Sequence, residues 1–174
     1  DLGEGWGDYF AVALTHEPGD DATASYPIFS WPAKRGSEPF NHYYFGARNF
    51  PYSVDVTKNA LSFGYLDTGN RLAAGHPSYE PPLYDFDDGP SRNPMVAEPL
   101  RTEQHFVGEV WAMMLLECRA ELAEEIGTDD ANDVLLQLVI DGMKLDPGAP
   151  KFADARDAVM QADILRYGGT HIPA

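Results

Sequence analysis

Residues 102–126 read TEQHFVGEVWAMMLLECRAELAEEI, and their pattern decides the fold class. Phe106, Val110, Met113, Met114, Glu117 and Ala120 recur close to the 3.6-residue period of an α-helix. Thr102 suits the N-cap, where its hydroxyl oxygen accepts from a free backbone N–H, and Gly127 suits the stop. A second helix is predicted from Asp130 to about Met143, capped by Thr128 or Asp129. Its inward face is Ala131, Val134, Leu135, Leu138 and Val139. Pro150 opens a third helix to about Tyr167, closed by Gly168 and Gly169. Phe152, Ala155, Val159, Ala162 and Leu165 face inward there. The C-terminal half therefore reads as an α-helical bundle.

Working outward, Leu2–Leu14 reads as one more helix, with Leu2, Trp6, Tyr9, Phe10 and Ala13 at helical spacing. Gly3, Gly5 and Gly7 each weaken it by about 1 kcal/mol relative to Ala, so they point to close approach of another backbone or a ligand. Residues 16–101 are interrupted by eleven prolines from Pro18 to Pro99, which preclude long helices. This segment is rich in Tyr, Phe and Trp and is expected to pack over the helices. Residues 66–100 carry the most turn chemistry and read as a surface insertion.

The length of 174 residues suits a single domain over 1–174. The apolar fraction of 44% excludes wholesale disorder. Asp plus Glu number 28 against 12 Lys plus Arg, a net charge of -16, so a nucleic acid or an anionic membrane would be repelled. No stretch reaches 18 apolar residues. Cys118 is the sole cysteine, which excludes an internal disulfide and a Cys-based zinc finger; it is expected to be a buried small apolar group. The chain opens on Asp1 almost inside its densest motif, so Asp1 is expected to be an artificial boundary, a processing site or the edge of a fragment.

Three places offer chemistry. In Gly3-Glu4-Gly5-Trp6-Gly7-Asp8, the two carboxylates are four apart and share a helix face. One suits a metal, while the other could hold a neighbouring histidine ligand in its working tautomer; a solvated acidic face is the plain alternative. His105 stands near a helix start, with Glu103 before it and Glu109 one turn on, where it could donate to a developing oxyanion or be a structural histidine. Arg48, in Gly46-Ala47-Arg48-Asn49-Phe50-Pro51-Tyr52-Ser53, could grip a carbonyl or carboxylate, or simply pair with an acid. His16, His42, His76 and His171 show no metal-ligand spacing, and no H-E-x-x-H or G-x-S-x-G is present.

Taken in order, four blocks resemble the C-terminal half of the catalytic domain of fungalysin-type (M36) zinc metallopeptidases, which are thermolysin-like gluzincins. They are Gly3–Ala11, Arg48–Asp55 with Asn59, His105–Ala112, and Met143–Leu145 through Ala155–Ala158 and Ala162-Asp163 to Arg166–Gly169. The resemblance implies a mainly α fold, the helical C-terminal subdomain of such a peptidase, with a long Pro/Gly/aromatic-rich irregular segment. It implies that Glu4 is the third zinc ligand and that Asp8 orients a zinc-binding histidine. It makes His105 the oxyanion stabiliser, flanked by Glu103, and Arg48 the contact to the substrate carbonyl. It also implies Zn2+ as cofactor, peptide or protein substrates, and secretion to the extracellular space. The family's H-E-x-x-H helix lies upstream of the Glu4 block and is absent from this chain. The partner implied is therefore the N-terminal half of the peptidase domain, and the isolated chain is expected to be inactive. Two other readings stay open: a non-catalytic interaction module derived from that fold, and an unrelated acidic helical domain marked by Asp85–Asp88. If the upstream half covers it, the face with Leu2, Trp6 and the glycines is expected to be apolar and exposed.

Overall fold

The computed structural model describes residues 1–33, 42–59, 61–66 and 104–171. Four long helices carry the architecture: α1 (Leu2–Leu14), α4 (Gln104–Ile126), α5 (Thr128–Leu145) and α6 (Phe152–Tyr167). Two single-turn helices, α2 (Ser30–Ala33) and α3 (His42–Phe45), and a 3₁₀ turn at Phe63–Leu66 punctuate the connection. The pairing of Tyr26 with Tyr52 is the one β-bridge among the described residues. The fold is thus mainly α, as expected, and the predicted insertion 66–100 lies, except for Leu66, outside the described residues. No helix among the described residues is long and apolar enough to cross a membrane.

The helices stack in the order α1, α4, α5, α6, so α4 is covered on two sides, by α1 and by α5. That explains why one inward stripe does not describe α4. Phe106, Val110, Trp111, Ala112, Met113, Leu115 and Leu116 are all buried, and so are the polar Glu109 and Arg119. Cys118, expected to be buried, is exposed instead, as is Glu117, because the buried arcs of α4 run through 115–116 and 119. Trp111 is fully buried, edge-on to Trp6 (centroids 6.3 Å apart) and stacked on Phe152 at 5.3 Å. Such aromatic pairs add about 0.5–1.5 kcal/mol beyond their buried area.

The helix ends follow backbone chemistry more than the expected caps. The α5 helix starts at Thr128 with Gly127 as its N-cap, at φ 86°, so neither Thr128 nor Asp129 caps it by a side chain. The α6 helix starts at Phe152, behind a Lys151 main-chain N–H that donates to the Asp154 carboxylate at 2.9 Å. Gly168 closes α6 in the left-handed conformation, as its sequence position predicts. Ala155 and Ala162 point inward on α6, but Leu165 is 68% exposed. The packed face of α6 runs through Ala155, Ala158, Ala162 and Asp163.

Gly5 explains how α1 and α4 come together. A Cβ at Gly5 would stand 2.6 Å from the Gly108 carbonyl oxygen, and one at Gly108 would stand 2.8 Å from the Gly5 nitrogen. The two backbones touch where neither has a side chain. The close approach expected of the glycine motif is therefore made by α4, and it covers Gly5 and Leu2 while leaving Trp6 half-buried. The expectation of an apolar, exposed face fails at Leu2 and Gly5, which are buried. Gly3 and Gly7 remain exposed, and a Cβ at Gly7 would meet nothing within 4 Å.

Candidate active site

The glycine contact sets Glu4 of α1 beside His105 of α4. Asp1 caps α1, its carboxylate accepting from the Glu4 N–H, which places Glu4 in the first turn. His105 Nε2 lies 3.5 Å from Glu4 Oε2. Arg48 Nη2 lies 3.6 Å from the same oxygen. The sequence placed these three groups in separate blocks; the fold brings them around one partly exposed carboxylate.

Asp8 stands one turn deeper on α1 and is 4% exposed. It receives Arg48 Nε at 2.6 Å on Oδ2 and Arg48 Nη2 at 2.8 Å on Oδ1. Tyr52, also buried, donates its hydroxyl to Asp8 Oδ2 at 2.5 Å. This forked pairing uses the planar guanidinium at both ends and fixes its orientation. Within this chain, then, the Asp8 carboxylate serves Arg48 and Tyr52. Burial works against the Arg48 charge, but the Asp8 carboxylate more than restores it, so Arg48 holds its proton more firmly than a free arginine. Burial, and after it the Asp8 charge, push the Tyr52 phenol well above its usual range. Tyr52 is therefore a fixed donor to Asp8.

Beneath this layer lies Glu109, one turn after His105 on α4 and 2% exposed. Both its oxygens accept from the Asn49 main-chain N–H, at 3.2 and 3.1 Å, and Oε1 also accepts from Asn49 Nδ2 at 2.8 Å. Burial pushes the Glu109 carboxyl up to about 8, against the pull of the Asn49 hydrogen bonds and the Arg48 charge. Asn59 ties off the same segment by donating Nδ2 to the Pro51 carbonyl at 3.0 Å.

Of the residues picked out in the sequence, Glu4, Asp8, Arg48 and His105 converge, and Glu103 lies outside the described residues. Asn49, Tyr52 and Glu109 complete the cluster without having been given roles. The only sequence hint was spacing: Glu109 follows His105 by four, and Asn49 follows Arg48 directly. As a metal site the cluster is partial. Among the described residues no group of three or more His, Cys, Asp or Glu side chains is arranged to hold a metal ion. A catalytic zinc needs about three protein ligands, more than the described residues bring together.

Comparison with known proteins gives the family. The sequence profile described as "Fungalysin metallopeptidase (M36)" matches residues 1–173. The "Extracellular metalloproteinase mep" of Aspergillus niger is 29% identical over 97% of this chain and 22% of its own length. The protein of the same name from Aspergillus terreus is 30% identical over 94% of this chain and 22% of its own length. "Extracellular metalloproteinase 4" of Trichophyton soudanense is 28% identical over 93% of this chain and 35% of its own length. The chain thus spans between a fifth and about a third of the relatives it matches. With three dispersed blocks meeting at one carboxylate and the profile running over residues 1–173, the chain belongs to the fungalysin (M36) metallopeptidases.

Proposed function

We propose that this chain is the helical C-terminal part of a secreted, zinc-dependent endopeptidase. Glu4 supplies the third zinc ligand, and the other two come from an H-E-x-x-H helix outside this chain, in the N-terminal half of the domain. Zinc, when bound, provides Lewis-acid chemistry. This chain's own residues hold and polarise the substrate. Arg48 donates to the substrate carbonyl. His105 donates to the oxyanion that grows on the reacting carbonyl, and Glu103 flanks it. Asp8 holds Arg48, and its Oδ1, which accepts from Arg48 Nη2 among the described contacts, has a second lone pair for a zinc-binding histidine of the missing half. The observation that carries the reading is the meeting of Arg48 and His105 on one Glu4 oxygen, at 3.6 and 3.5 Å. Fixed donors of this kind are each worth about 10²–10³ in rate when they face the developing charge. The names of the relatives support peptide substrates and an extracellular location.

The test joins this chain to an H-E-x-x-H half and assays casein hydrolysis with and without zinc. Zinc-dependent cleavage is expected, with Glu4→Gln abolishing activity and His105→Ala lowering kcat by about 10²–10³. The isolated chain is expected to show neither cleavage nor zinc binding by calorimetry. Full activity and zinc content in Glu4→Gln would sink the reading.

The burial of Leu2 and Gly5 by α4 favours a second reading, a self-sufficient non-catalytic module that uses the same surface for binding. That reading expects a stable chain with no affinity for the H-E-x-x-H half.

A further inference from the structure

Glu109 poses a physical question. A carboxyl group buried to 2% exposure is costly, and an apolar residue of similar volume at such a position is often neutral or stabilising. Stability alone therefore gives α4 no reason to carry an acid there. Both of its oxygens are turned to a single residue, Asn49, and grip it at the main chain and at the side chain together. Asn49 is itself 2% exposed and follows Arg48 directly.

We propose that Glu109 is a positioning residue of the site, holding through Asn49 the main chain from which Arg48 reaches Asp8 and Glu4. Arg48 is then fixed at both ends: its guanidinium by Asp8, at 2.6 and 2.8 Å, and its backbone by Glu109 through the next peptide group. One helix carries both His105 and Glu109, four residues apart, so α4 sets the two donors of the site against each other. Without this grip the segment 48–53 would still be tethered by Tyr52 and Asn59, but the peptide group next to Arg48 would lose its acceptor. A loosened donor loses much of its value, because its worth rests on being oriented before the reaction. The upward shift of the Glu109 carboxyl by burial is consistent with a group kept at a cost in stability. The proposal deepens the function proposed above, since Arg48 matters to a substrate only if that reading holds.

The test uses Glu109→Gln and Glu109→Met in the peptidase that carries this chain, labelled with nitrogen-15. Two quantities are read: solvent exchange of the Asn49 amide and the Arg48 Nε–H, and kcat and KM on a peptide substrate. Both hydrogens are expected to exchange at least ten-fold faster, and kcat/KM to fall at least ten-fold, mainly in kcat. Helix content by circular dichroism should stay that of the parent. Glu109→Gln should lose less than Glu109→Met, because it keeps one acceptor oxygen. Unchanged exchange at either position overturns the proposal, as does faster exchange with kcat/KM within two-fold of the parent. If the parent cleaves nothing, the peptidase reading fails, and exchange alone still decides the role of Glu109. If Glu109→Met does not fold, Asn49→Ala, which removes the gripped side chain, is judged by Arg48 Nε–H exchange and the same kinetics.

Discussion

Two alanines a half-turn apart on α1 should act in opposite directions. At Gly7 a methyl group meets nothing within 4 Å. Gly7→Ala should therefore gain the intrinsic helix preference of alanine, about 1 kcal/mol. At Gly5 the same methyl would stand 2.6 Å from the Gly108 oxygen and 2.8 Å from Trp111 Cδ1. Non-bonded atoms rest at about 3.5–4.0 Å, so α1 and α4 must part by about 1 Å. Overpacking of this kind costs about 1–3 kcal/mol, and loss of contact around Trp111 adds to it. Less the propensity gain, Gly5→Ala should be destabilised by about 1–2 kcal/mol. With an m-value of about 2 kcal/mol/M, the urea midpoint should drop by about 0.5–1 M while m stays constant. Equilibrium unfolding followed by tryptophan fluorescence reads this directly, since Trp6 and Trp111 flank the contact. A midpoint for Gly5→Ala at or above the parent, or a shift of the same sign in both variants, would refute the backbone contact as the organiser of the pair.

Removing Asp8 leaves a buried arginine without its forked partner. Asp8→Ala should lose about 3–5 kcal/mol of stability in the same urea assay, and a loss below about 1 kcal/mol would contradict the pairing. Glu109 predicts a pH dependence. Its carboxyl stands at about 8 in the fold and near 4.5 when free, so the folded chain binds this proton more readily than the unfolded chain. Its contribution is therefore full below pH 4.5 and is lost as pH rises through 8. The parent should weaken between pH 5 and 8, and Glu109→Gln should show a flatter profile; equal slopes would refute the assignment.

Much of the architecture was legible because it is local. The bounds of α1 follow from Leu2, Tyr9 and Ala13 at helical spacing and from Pro18 beyond them. The Gly127 and Gly168 stops follow from glycine's access to positive φ. The three blocks that hold the site were visible as part of a resemblance, though not as a geometry. What sequence periodicity could not give is which helix is covered twice. It assumes one buried stripe per helix, and α4 has more, so Glu109 and Arg119 are inside while Glu117 and Cys118 are outside. The same limit hid the roles of Asn49 and Tyr52. Their partners are 60 and 44 residues away, and nothing in a local window announces them.

Those separations carry a consequence for how the molecule is assembled. The α4–α5 and α5–α6 pairs are joined by connections of a few residues, so bringing them together costs little chain entropy. Asp8 with Arg48 closes a loop of 40 residues, Asn49 with Glu109 one of 60, and His105 meets Glu4 across about a hundred. Contacts between distant parts of a chain are rewarded only after the ordering between them has been met. A chain caught partway through folding would hold its three C-terminal helices and have no site at all.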